Sequence, residues 1–366
     1  MSALLDKTVE HLRALVAFDT RNPPRAIGTA GIFDYLRAQL PGFDCVLSDH
    51  GAGAVSLFAV RGKPRFLFNV HLDTVPDSPH WTANPFELRV GADRAVGLGA
   101  CDIKGAAAAL LTAAAQTQRD AAFLFSTDEE ANDPRCIAAF LAQKKSFDAV
   151  IVAEPTRCEA VLAHRGISSV RMAFTGRAGH ASAGNAATDS ALHQAIRWGQ
   201  GALDFVAAQS HQRFGGLTGL RFNVGRIDGG IKANVIAPAA DVRFGFRPLP
   251  SMETDALLAK FRDDCGATPA EFEETFRGPP LPAGDVASAE SRRLGARDIA
   301  EELGLPIGNA VDFWTEASLF SQAGYTTFVC GPGDIAQAHS ADEFVELLQL
   351  QRITEHYTRI LTGKTS

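Results

Sequence analysis

A histidine and an aspartate lie at the end of a short apolar run. Residues 66–70 are predicted to form a buried strand, and His71 and then Asp73 follow it. Side chains two residues apart in an extended chain point to the same side, so the two can touch. An imidazole that binds a metal through one nitrogen needs its other nitrogen held, and Asp73 could hold it. An ordinary strand-end histidine with a polar neighbour is the alternative.

Further carboxylates and a second histidine follow other predicted strands or lie in the loops after them. They are Asp102 in the 97–105 loop, Glu129 and Glu130 after strand 121–126, Glu154 after strand 149–153, and His339 after strand 326–330. Taken singly, each could be a cap, a turn residue or a solvated charge. Ligands of open α/β sheets bind beyond the carboxyl ends of strands, so we expect these side chains to meet at one sheet edge.

Two histidines, one aspartate and two glutamates without a thiolate form a ligand set that suits Zn²⁺, Co²⁺ or Mn²⁺. Five ligands are too many for one tetrahedral ion that keeps a position open, and they suit two ions that share a carboxylate. Such ions can lower the pKa of a bound water and act as a Lewis acid on an oxygen of the substrate. Of the adjacent Glu129 and Glu130, one can bind metal while the other takes the proton of the water. This spare base disfavours a purely structural zinc site.

The elements that must position these residues alternate between strand and helix. Helices are predicted over 4–18, 28–40, 104–116 and 134–145, buried strands over 55–60, 66–70, 121–126 and 149–153, and a loop over 91–99. The first two strands are expected to be neighbours joined by a turn. This order predicts an α/β fold with a mixed, mostly parallel sheet flanked by helices.

The pattern changes between residues 166 and 275. Strands are predicted over 167–175, 220–227 and 240–246, and helices over 187–208 and 254–264. We therefore predict an inserted α+β domain at 166–275, within a discontinuous first domain of 1–165 and 276–366. The stiff segment 278–282 is expected to act as a hinge. Beyond it we expect helices over 286–303, from Glu316 and after Ser340, with strand 326–330 between the last two.

Composition excludes several classes of protein. The 366 residues carry a net charge of -7 without a basic run, which argues against nucleic acid and anionic membranes as partners. No stretch approaches the roughly 20 apolar residues of a membrane span. Residues 1–16 contain Asp6 and Glu10, unlike a signal peptide. Six scattered cysteines without a CxxC pair indicate reduced thiols, so we expect a cytoplasmic protein.

Five sequence blocks together resemble the M20 metallopeptidase/deacetylase family. The blocks are His71-Leu72-Asp73-Thr74-Val75-Pro76, the 97–105 loop with Asp102-Ile103-Lys104-Gly105, Asp128-Glu129-Glu130, Glu154-Pro155-Thr156, and Gly331-Pro332-Gly333 with His339. The resemblance covers nearly the whole chain and is nearest the acetylornithine deacetylase and succinyl-diaminopimelate desuccinylase branch. It implies hydrolysis of a small-molecule N-acyl amino acid, most specifically deacetylation of N-acetylcitrulline or N-acetylornithine in arginine biosynthesis. A dipeptidase, a carboxypeptidase or a desuccinylase of the same family is the alternative.

The resemblance also implies a role for each residue of the first domain, with one or two divalent ions, Zn²⁺ or Co²⁺, as cofactor. The implied roles are Asp102 as the bridge between the ions, His71 and Glu154 as ligands of one, Glu130 and His339 as ligands of the other, Asp73 as the residue that orients His71, and Glu129 as the general base. A cis peptide between Asp102 and Ile103 is implied as well.

For the inserted domain, the resemblance implies a lid that also forms a homodimer. His180 would reach the active site of the other subunit to stabilise the oxyanion, and closure would bring Asn234 over the metals. Arg247 would clamp the substrate carboxylate, with Arg243 as a second candidate, because a guanidinium fork matches a carboxylate. A surface histidine and an exposed strand charge are the alternatives for His180 and Arg243. A non-catalytic binding or regulatory protein should lack the base or a ligand, and here all are present.

Overall fold

The computed structural model describes residues 2–131 and 133–363. They form two compact units. The first unit comprises Met1–Leu162, Ser291–Gly308 and Thr315–Ser366, and the second comprises Ala163–Glu290 and Asn309–Trp314. The second unit is thus longer at both ends than the predicted insertion of 166–275.

Helices and strands alternate along most of the described chain. The α-helices are α1 (Ala3–Val16), α2 (Ile32–Gln39), α3 (Gly105–Ala114), α4 (Arg135–Leu141), α5 (Ala186–Asp189), α6 (Ala191–Ala208), α7 (Thr254–Asp263), α8 (Ala289–Glu302), α9 (Ala317–Gln322) and α10 (Leu347–Thr362). The strands are β1 (Asp44–Asp49), β2 (Val55–Arg61), β3 (Phe66–His71), β4 (Arg89–Val90), β5 (Arg94–Val96), β6 (Ala121–Ser126), β7 (Ala149–Pro155), β8 (Ile167–Thr175), β9 (Arg213–Phe214), β10 (Leu217–Thr218), β11 (Arg221–Gly229), β12 (Ala239–Arg247), β13 (Glu271–Gly278), β14 (Thr327–Gly331) and β15 (Phe344–Glu346).

A six-stranded sheet in the order β1-β2-β6-β3-β7-β14 forms the centre of the first unit. Strands β6, β3, β7 and β14 run parallel, whereas β1 and β2 are antiparallel to their neighbours. The predicted mixed, mostly parallel sheet is confirmed. The predicted adjacency of β2 and β3 is wrong, because β6 lies between them. Every residue of β6 is buried, as befits a strand covered on both faces and paired on both edges.

Helix α3 is buried along its whole length and packs against α1 and α10. The small side chains of its alanines allow α1 and α10 to pack close to it. A hydroxyl cluster joins the three helices: the Oγ1 of Thr8 lies 3.0 Å from that of Thr112 and 3.0 Å from that of Thr354. The helices thereby cover the sheet that positions the candidate ligands.

Several short elements were missed by the sequence analysis. The predicted loop 91–99 contributes β5 to a three-stranded ribbon in the order β15-β5-β4. Strands of two or three residues are too short to show a period of two. Strand β1 was missed as well, because its edge position leaves a half-exposed pattern with an aspartate at each end.

The second unit contains an antiparallel sheet in the order β11-β12-β8-β13. Helices α6 and α7 pack on one face around Trp198, Phe244 and Phe261, and the Trp198 Nε1 donates a 2.6 Å hydrogen bond to the Phe261 carbonyl. Strand β13 was not predicted. The expected hinge at 278–282 lies inside this unit, where Leu281 and His164 exchange main-chain hydrogen bonds of 3.0 and 3.1 Å, so it does not connect the units. No helix in the described part of the chain has both the length and the apolar character to cross a membrane.

Candidate metal centre

The carboxyl ends of four parallel strands lie at one edge of the first unit's sheet. His71 is the last residue of β3, and Glu154 lies one residue before the end of β7. Gly331 ends β14, and a Cβ there would lie 2.6 Å from the Glu154 carbonyl oxygen. Only glycine therefore allows β14 to pass so close to the backbone of Glu154.

Asp102 enters this edge from a bent loop between β5 and α3. The loop turns at Gly99, whose φ of 76° is open to glycine, and Asp102 itself has φ -121° and ψ 87°. The Asp102–Ile103 peptide is cis, as predicted. The Asp102 side chain is buried.

The first group of candidate ligands is His71, Asp102 and Glu154. The Nε2 of His71 lies 3.0 Å from Oδ1 of Asp102 and 3.7 Å from Oε1 of Glu154. One ligand atom from each of the three residues lies within 4.8 Å of the others. All three side chains are buried.

The second group is Asp102, Glu130 and His339, which satisfy the same 4.8 Å criterion. The Nε2 of His339 lies 3.0 Å from Oε1 of Glu130 and 3.3 Å from Oδ2 of Asp102. Asp102 therefore directs one carboxylate oxygen to each histidine. This is the arrangement of a carboxylate that bridges two ions, and the two groups together hold the five residues predicted as ligands.

Asp73 supports both groups. The Nδ1 of His71 is 3.0 Å from the main-chain oxygen of Asp73 and 3.5 Å from its Oδ1. The other carboxylate oxygen, Oδ2, accepts hydrogen bonds of 3.0 Å from the Glu130 main chain and 2.9 Å from the Asn22 side chain. Asp73 thus fixes an imidazole mainly through its main chain and fixes Glu130 through its side chain. Asn22 was missed, since only its neighbouring prolines distinguish it in the sequence.

The carboxylates and imidazoles at this edge shift one another's pKa. Burial raises the pKa of Glu154 to about 7, against the opposing effect of His71. Although burial alone would raise it, hydrogen bonds from His339 and His71 hold the pKa of Asp102 below its ordinary value. Hydrogen bonds to Asp102 and Glu130 raise the pKa of His339 to about 11. Carboxylates that crowd around two imidazoles form an environment that divalent cations can neutralise.

Glu129 differs from the ligand candidates because its carboxylate forms neither a hydrogen bond nor an ion pair with any described residue. Burial, followed by the charges of Glu130 and Glu154, raises the pKa of Glu129 well above its ordinary value. A carboxylate with both oxygens available and a raised pKa has the properties of a general base.

Two other buried glutamates at this edge were missed. The Oε2 of Glu316 accepts a 3.2 Å hydrogen bond from the Ser126 hydroxyl. Glu343 accepts hydrogen bonds from the main chain of the Asp102 loop. Neither is adjacent in sequence to a strand-end motif of the predicted kind. Their burial is the signal, and burial is not visible in the sequence.

The donor set fits a pair of divalent ions. Nitrogen and carboxylate ligands without thiolate suit Zn²⁺ and Co²⁺, and each group offers three protein ligands and leaves coordination positions open. Asp73 supplies the hold on the second nitrogen of His71 that metal-binding histidines require.

The arginines predicted to bind substrate line a cavity of about 640 Å³ in the second unit. Arg243 and Arg247 alternate along β12 with buried apolar residues, so they point away from the face that α6 and α7 cover. Arg171 and Arg221 also line the cavity. The last two are residues that the sequence analysis did not select.

Acidic partners occupy most of these arginines. Arg171 lies 2.9 Å and Arg243 3.7 Å from the Asp241 carboxylate, and Arg221 lies 3.6 Å from Asp312. Arg247 forms no ion pair with any described residue, and burial lowers its pKa. Its guanidinium therefore remains available for an external anion.

His180 and Asn234 lie on two adjoining loops of the second unit. The main-chain nitrogen of Ala181 donates a 3.1 Å hydrogen bond to the Asn234 carbonyl, and the exposed His180 ring places Nδ1 2.7 Å from the Ser182 hydroxyl. The structure brings these two residues into the same part of the unit. Their action on a metal-bound substrate stays a prediction.

Comparison with known proteins places the chain in a class. Residues 67–363 match the model of peptidase family M20/M25/M40, and the chain belongs to this family. It is 70% identical over 364 residues to the N-acetyl-L-citrulline deacetylase of Xanthomonas campestris pv. campestris, covering 99% of this chain and 100% of that protein. The acetylornithine deacetylase of Salmonella arizonae is 28% identical over 328 residues, which cover 86% of this chain and 81% of that one.

Solved structures share the fold. The aminopeptidase PepT of Bacillus cereus superposes with a TM-score of 0.73 at 18% identity, covering 98% of both chains. The Bacillus subtilis YXEP protein, described as a dinuclear metal-binding peptidase of the M20 family, gives a TM-score of 0.65 at 14% identity and covers 99% of this chain and 98% of that one. At these identities the likeness concerns the fold, and it agrees with the predicted α/β architecture.

Proposed function

We propose that the protein is a metal-dependent amidohydrolase that removes the acetyl group from N-acetylcitrulline. The single observation that carries the reaction class is the pair of ligand groups that share Asp102, beside a Glu129 without a partner. The substrate is supported by the 70% identity, over nearly the whole chain, to an enzyme of that name.

Two divalent ions at this edge would supply Lewis acidity toward the acyl oxygen and lower the pKa of a water. His71 and Glu154 would hold one ion, Glu130 and His339 would hold the other, and Asp102 would contribute to both sites. Zn²⁺ and Co²⁺ are the ions we propose from this donor set. Asp73 fixes the ring of His71 and the backbone of Glu130, which keeps the two groups in register.

Glu129 performs the proton transfers. Its carboxylate takes a proton from the attacking water and delivers it to the nitrogen that leaves as the free amino group. Glu130 does not share this task, because we assign its carboxylate, whose Oε1 lies 3.0 Å from Nε2 of His339, to the second ion. Adjacent glutamates thereby divide the roles of base and ligand.

The cavity in the second unit favours a neutral side chain on the substrate. Arg247 is available to bind the α-carboxylate through two parallel hydrogen bonds. Of the acids nearby, Asp241 lies between Arg171 and Arg243, and Asp312 pairs with Arg165 and Arg221. An ornithine side chain ends in an ammonium that these arginines would repel, whereas the citrulline side chain ends in an uncharged ureido group. N-acetylornithine is therefore the second candidate, supported by the relative of that activity.

We also propose a homodimer formed through the second unit, with His180 acting in the active site of the other copy to stabilise the oxyanion. Strand β11 is an edge strand, and an unpaired edge is a template for association. Four large apolar side chains are exposed on β11, the loop after it and α6, namely Ile227, Ile231, Ile196 and Leu203. An edge strand flanked by exposed apolar side chains has the character of an association surface.

The cellular setting follows from the substrate. Deacetylation of N-acetylcitrulline would place the enzyme in arginine biosynthesis, and we expect it in the cytoplasm. The six cysteines are all free, which fits a reducing compartment.

A kinetic comparison tests this function. Metal-free protein reloaded with Zn²⁺ or Co²⁺ is assayed with N-acetylcitrulline, N-acetylornithine, N-succinyl-diaminopimelate and a set of dipeptides. We expect the highest kcat/KM for N-acetylcitrulline and loss of activity on chelation. Faster cleavage of dipeptides would contradict the deacetylase assignment, and unchanged activity in the chelated protein would contradict the metal dependence.

Sedimentation of the active protein tests the dimer. A species of twice the chain mass is expected at assay concentrations. A fully active monomer would contradict the role of His180 in a second copy.

A further inference from the structure

Glu343 is a buried glutamate that belongs to none of the sequence motifs described above. It lies four residues after His339, directly before β15, and its side chain is 2% exposed. Neither a hydrogen bond nor an ion pair joins its carboxylate to the side chains of the five candidate ligands, all of which lie among the described residues. A charged group is rarely buried unless its oxygens are satisfied, so its partners indicate its purpose.

The partners are main-chain N–H groups of the loop that carries Asp102. Oε1 of Glu343 accepts hydrogen bonds of 2.9 Å from Cys101 and 2.9 Å from Asp102, and Oε2 accepts one of 3.0 Å from Gly99. The main-chain oxygen of Glu343 accepts a fourth, of 3.0 Å, from Gly97. One residue therefore binds four donors within six residues of a loop that has little regular structure of its own.

We propose that Glu343 is the positioning residue for the bridging carboxylate, and that it couples the two metal sites. The proposal rests on the function proposed above, in which Asp102 is shared by both ions. Asp102 must place one oxygen toward each histidine, and its main-chain nitrogen is fixed by Glu343. Since His339 lies on the same short segment as Glu343, movement of this segment would displace a ligand of one ion and the bridge between both.

The fold around the loop supports this role. Strand β15, which begins directly after Glu343, pairs with β5, which precedes the loop. Lys104, two residues after Asp102, is also buried, and its Nζ donates a 3.0 Å hydrogen bond to the Phe18 carbonyl. The loop is thus restrained at both Glu343 and Phe18, and Glu343 supplies the contacts to its main chain.

The test measures metal affinity in three variants. Glu343→Ala removes both side-chain oxygens and with them all three side-chain hydrogen bonds to the loop. Glu343→Gln keeps an oxygen for Cys101 and Asp102 and turns an amide toward Gly99. Glu346→Gln is the matched control, since Glu346 accepts a 3.3 Å hydrogen bond from Gln349 and makes no side-chain contact with the loop. Dissociation constants for Co²⁺ are obtained by competition with a chelator, and the visible spectrum of the Co²⁺ form reports the ligand geometry.

We expect Glu343→Ala to weaken Co²⁺ binding by about 10- to 100-fold, as loss of residues that orient metal ligands does. Glu343→Gln should restore part of this loss and alter the visible spectrum, and Glu346→Gln should resemble the wild type. A merely structural role would change thermal stability without this order of metal affinities. If Glu343→Ala does not fold, the comparison of Glu343→Gln with Glu346→Gln decides.

Asp102→Asn separates failure of this inference from failure of the proposed function. Wild-type Co²⁺ affinity in Asp102→Asn would overturn the metal site itself. Loss of binding in Asp102→Asn together with wild-type constants and spectrum in the Glu343 variants would overturn only the role of Glu343.

Discussion

The candidate metal centre and the arginine-lined cavity are built in opposite ways. At the metal centre most of the acids are buried, and the main chain fixes those that support the ligands: Asp73 binds the Glu130 nitrogen, and Glu343 binds the Asp102 loop. In the cavity, Arg171 and Arg243 reach from exposed strand positions to Asp241. The first arrangement is preorganised for one geometry, whereas the second consists of long side chains, two of them at exposed strand positions.

The proposed function assigns the two regions different tasks in an amidohydrolase, and the difference in construction suits that assignment. Reaction chemistry requires ligands held within a fraction of an ångström, which the sheet edge provides. In the proposed function, the arginines of the cavity supply positive charge near the substrate, with a smaller energetic effect per residue. Substitutions at the sheet edge should therefore act on turnover, and substitutions in the cavity should act on substrate affinity and preference.

The largest effect is expected for Glu129→Gln. The amide cannot accept the proton of the water, so kcat should fall by about 10²- to 10⁴-fold while metal content stays at the wild-type level. Steady-state kinetics and elemental analysis measure both, with the exposed Glu355→Gln as control. Near wild-type turnover in Glu129→Gln would remove the general base from the account.

A smaller effect, seen mainly in KM, is expected for Arg247. Loss of a charge-assisted pair with the substrate carboxylate in Arg247→Ala should lower kcat/KM by about 10- to 100-fold. Arg247→Lys keeps the charge without the planar fork and should recover part of this loss. An unchanged KM in Arg247→Ala would show that the carboxylate binds elsewhere, and the comparison between the two regions would fail.

A weaker effect is expected for the exposed Arg243. Reversing its charge in Arg243→Glu should shift the kcat/KM ratio toward N-acetylornithine by about 3- to 10-fold, the scale of exposed charge pairs. Arg226→Glu is the control, because Arg226 is paired with Asp228 and does not line the cavity. The measurement is a competition between the two acetylated substrates. Equal shifts in both variants would indicate a general change of surface charge.

The last effect concerns stability rather than catalysis and belongs to the first unit. Burial, with a smaller contribution from Lys7, lowers the pKa of His11 to about 4, and its Nδ1 lies 2.7 Å from the Tyr35 hydroxyl. The unfolded chain then binds a proton between pH 6.5 and 4 that the folded chain does not, so stability falls as the pH decreases through this range. Between pH 7.5 and 5 this contribution is about 2 kcal/mol.

Denaturant unfolding of His11→Gln and the wild type at the two pH values tests this. The variant should lose about 2 kcal/mol less than the wild type on acidification. Tyr35→Phe keeps the imidazole and should retain the acid sensitivity. Identical losses in His11→Gln and the wild type would show that other groups cause the acid destabilisation.

The sequence predicted the sheet edge well because its signals are local. His71 and Glu154 lie at the ends of apolar strands, and parallel strands bring such ends together. Strand order was less accessible: β6 lies between β2 and β3 because pairing depends on burial across the whole sheet. The hydrogen bond between Gly99 and Glu343 joins residues 244 positions apart, and a local sequence pattern cannot predict it.

The second unit was predicted less completely for a related reason. The resemblance to the family pointed to Arg247, with Arg243 as a second candidate, but Arg171 and Arg221 gain their significance only when three strands are placed side by side. Strand β13 contains phenylalanines alternating with polar residues, but the predicted domain boundary at residue 275 falls inside it. The Pro-rich segment 278–282 at the end of β13 was predicted to be the hinge, so the strand was not predicted. Both the grouping of the four arginines and the position of β13 depend on pairing between strands distant in sequence, which local propensity does not reveal.

Calorimetric titration of metal-free protein with Co²⁺ tests the central claim most directly, namely that two ions share Asp102. We predict two ions per chain for the wild type, one for His71→Ala, one for His339→Ala, and severe loss of both for Asp102→Ala. A single ion in the wild type, or two ions in the Asp102→Ala variant at wild-type affinity, would contradict the account.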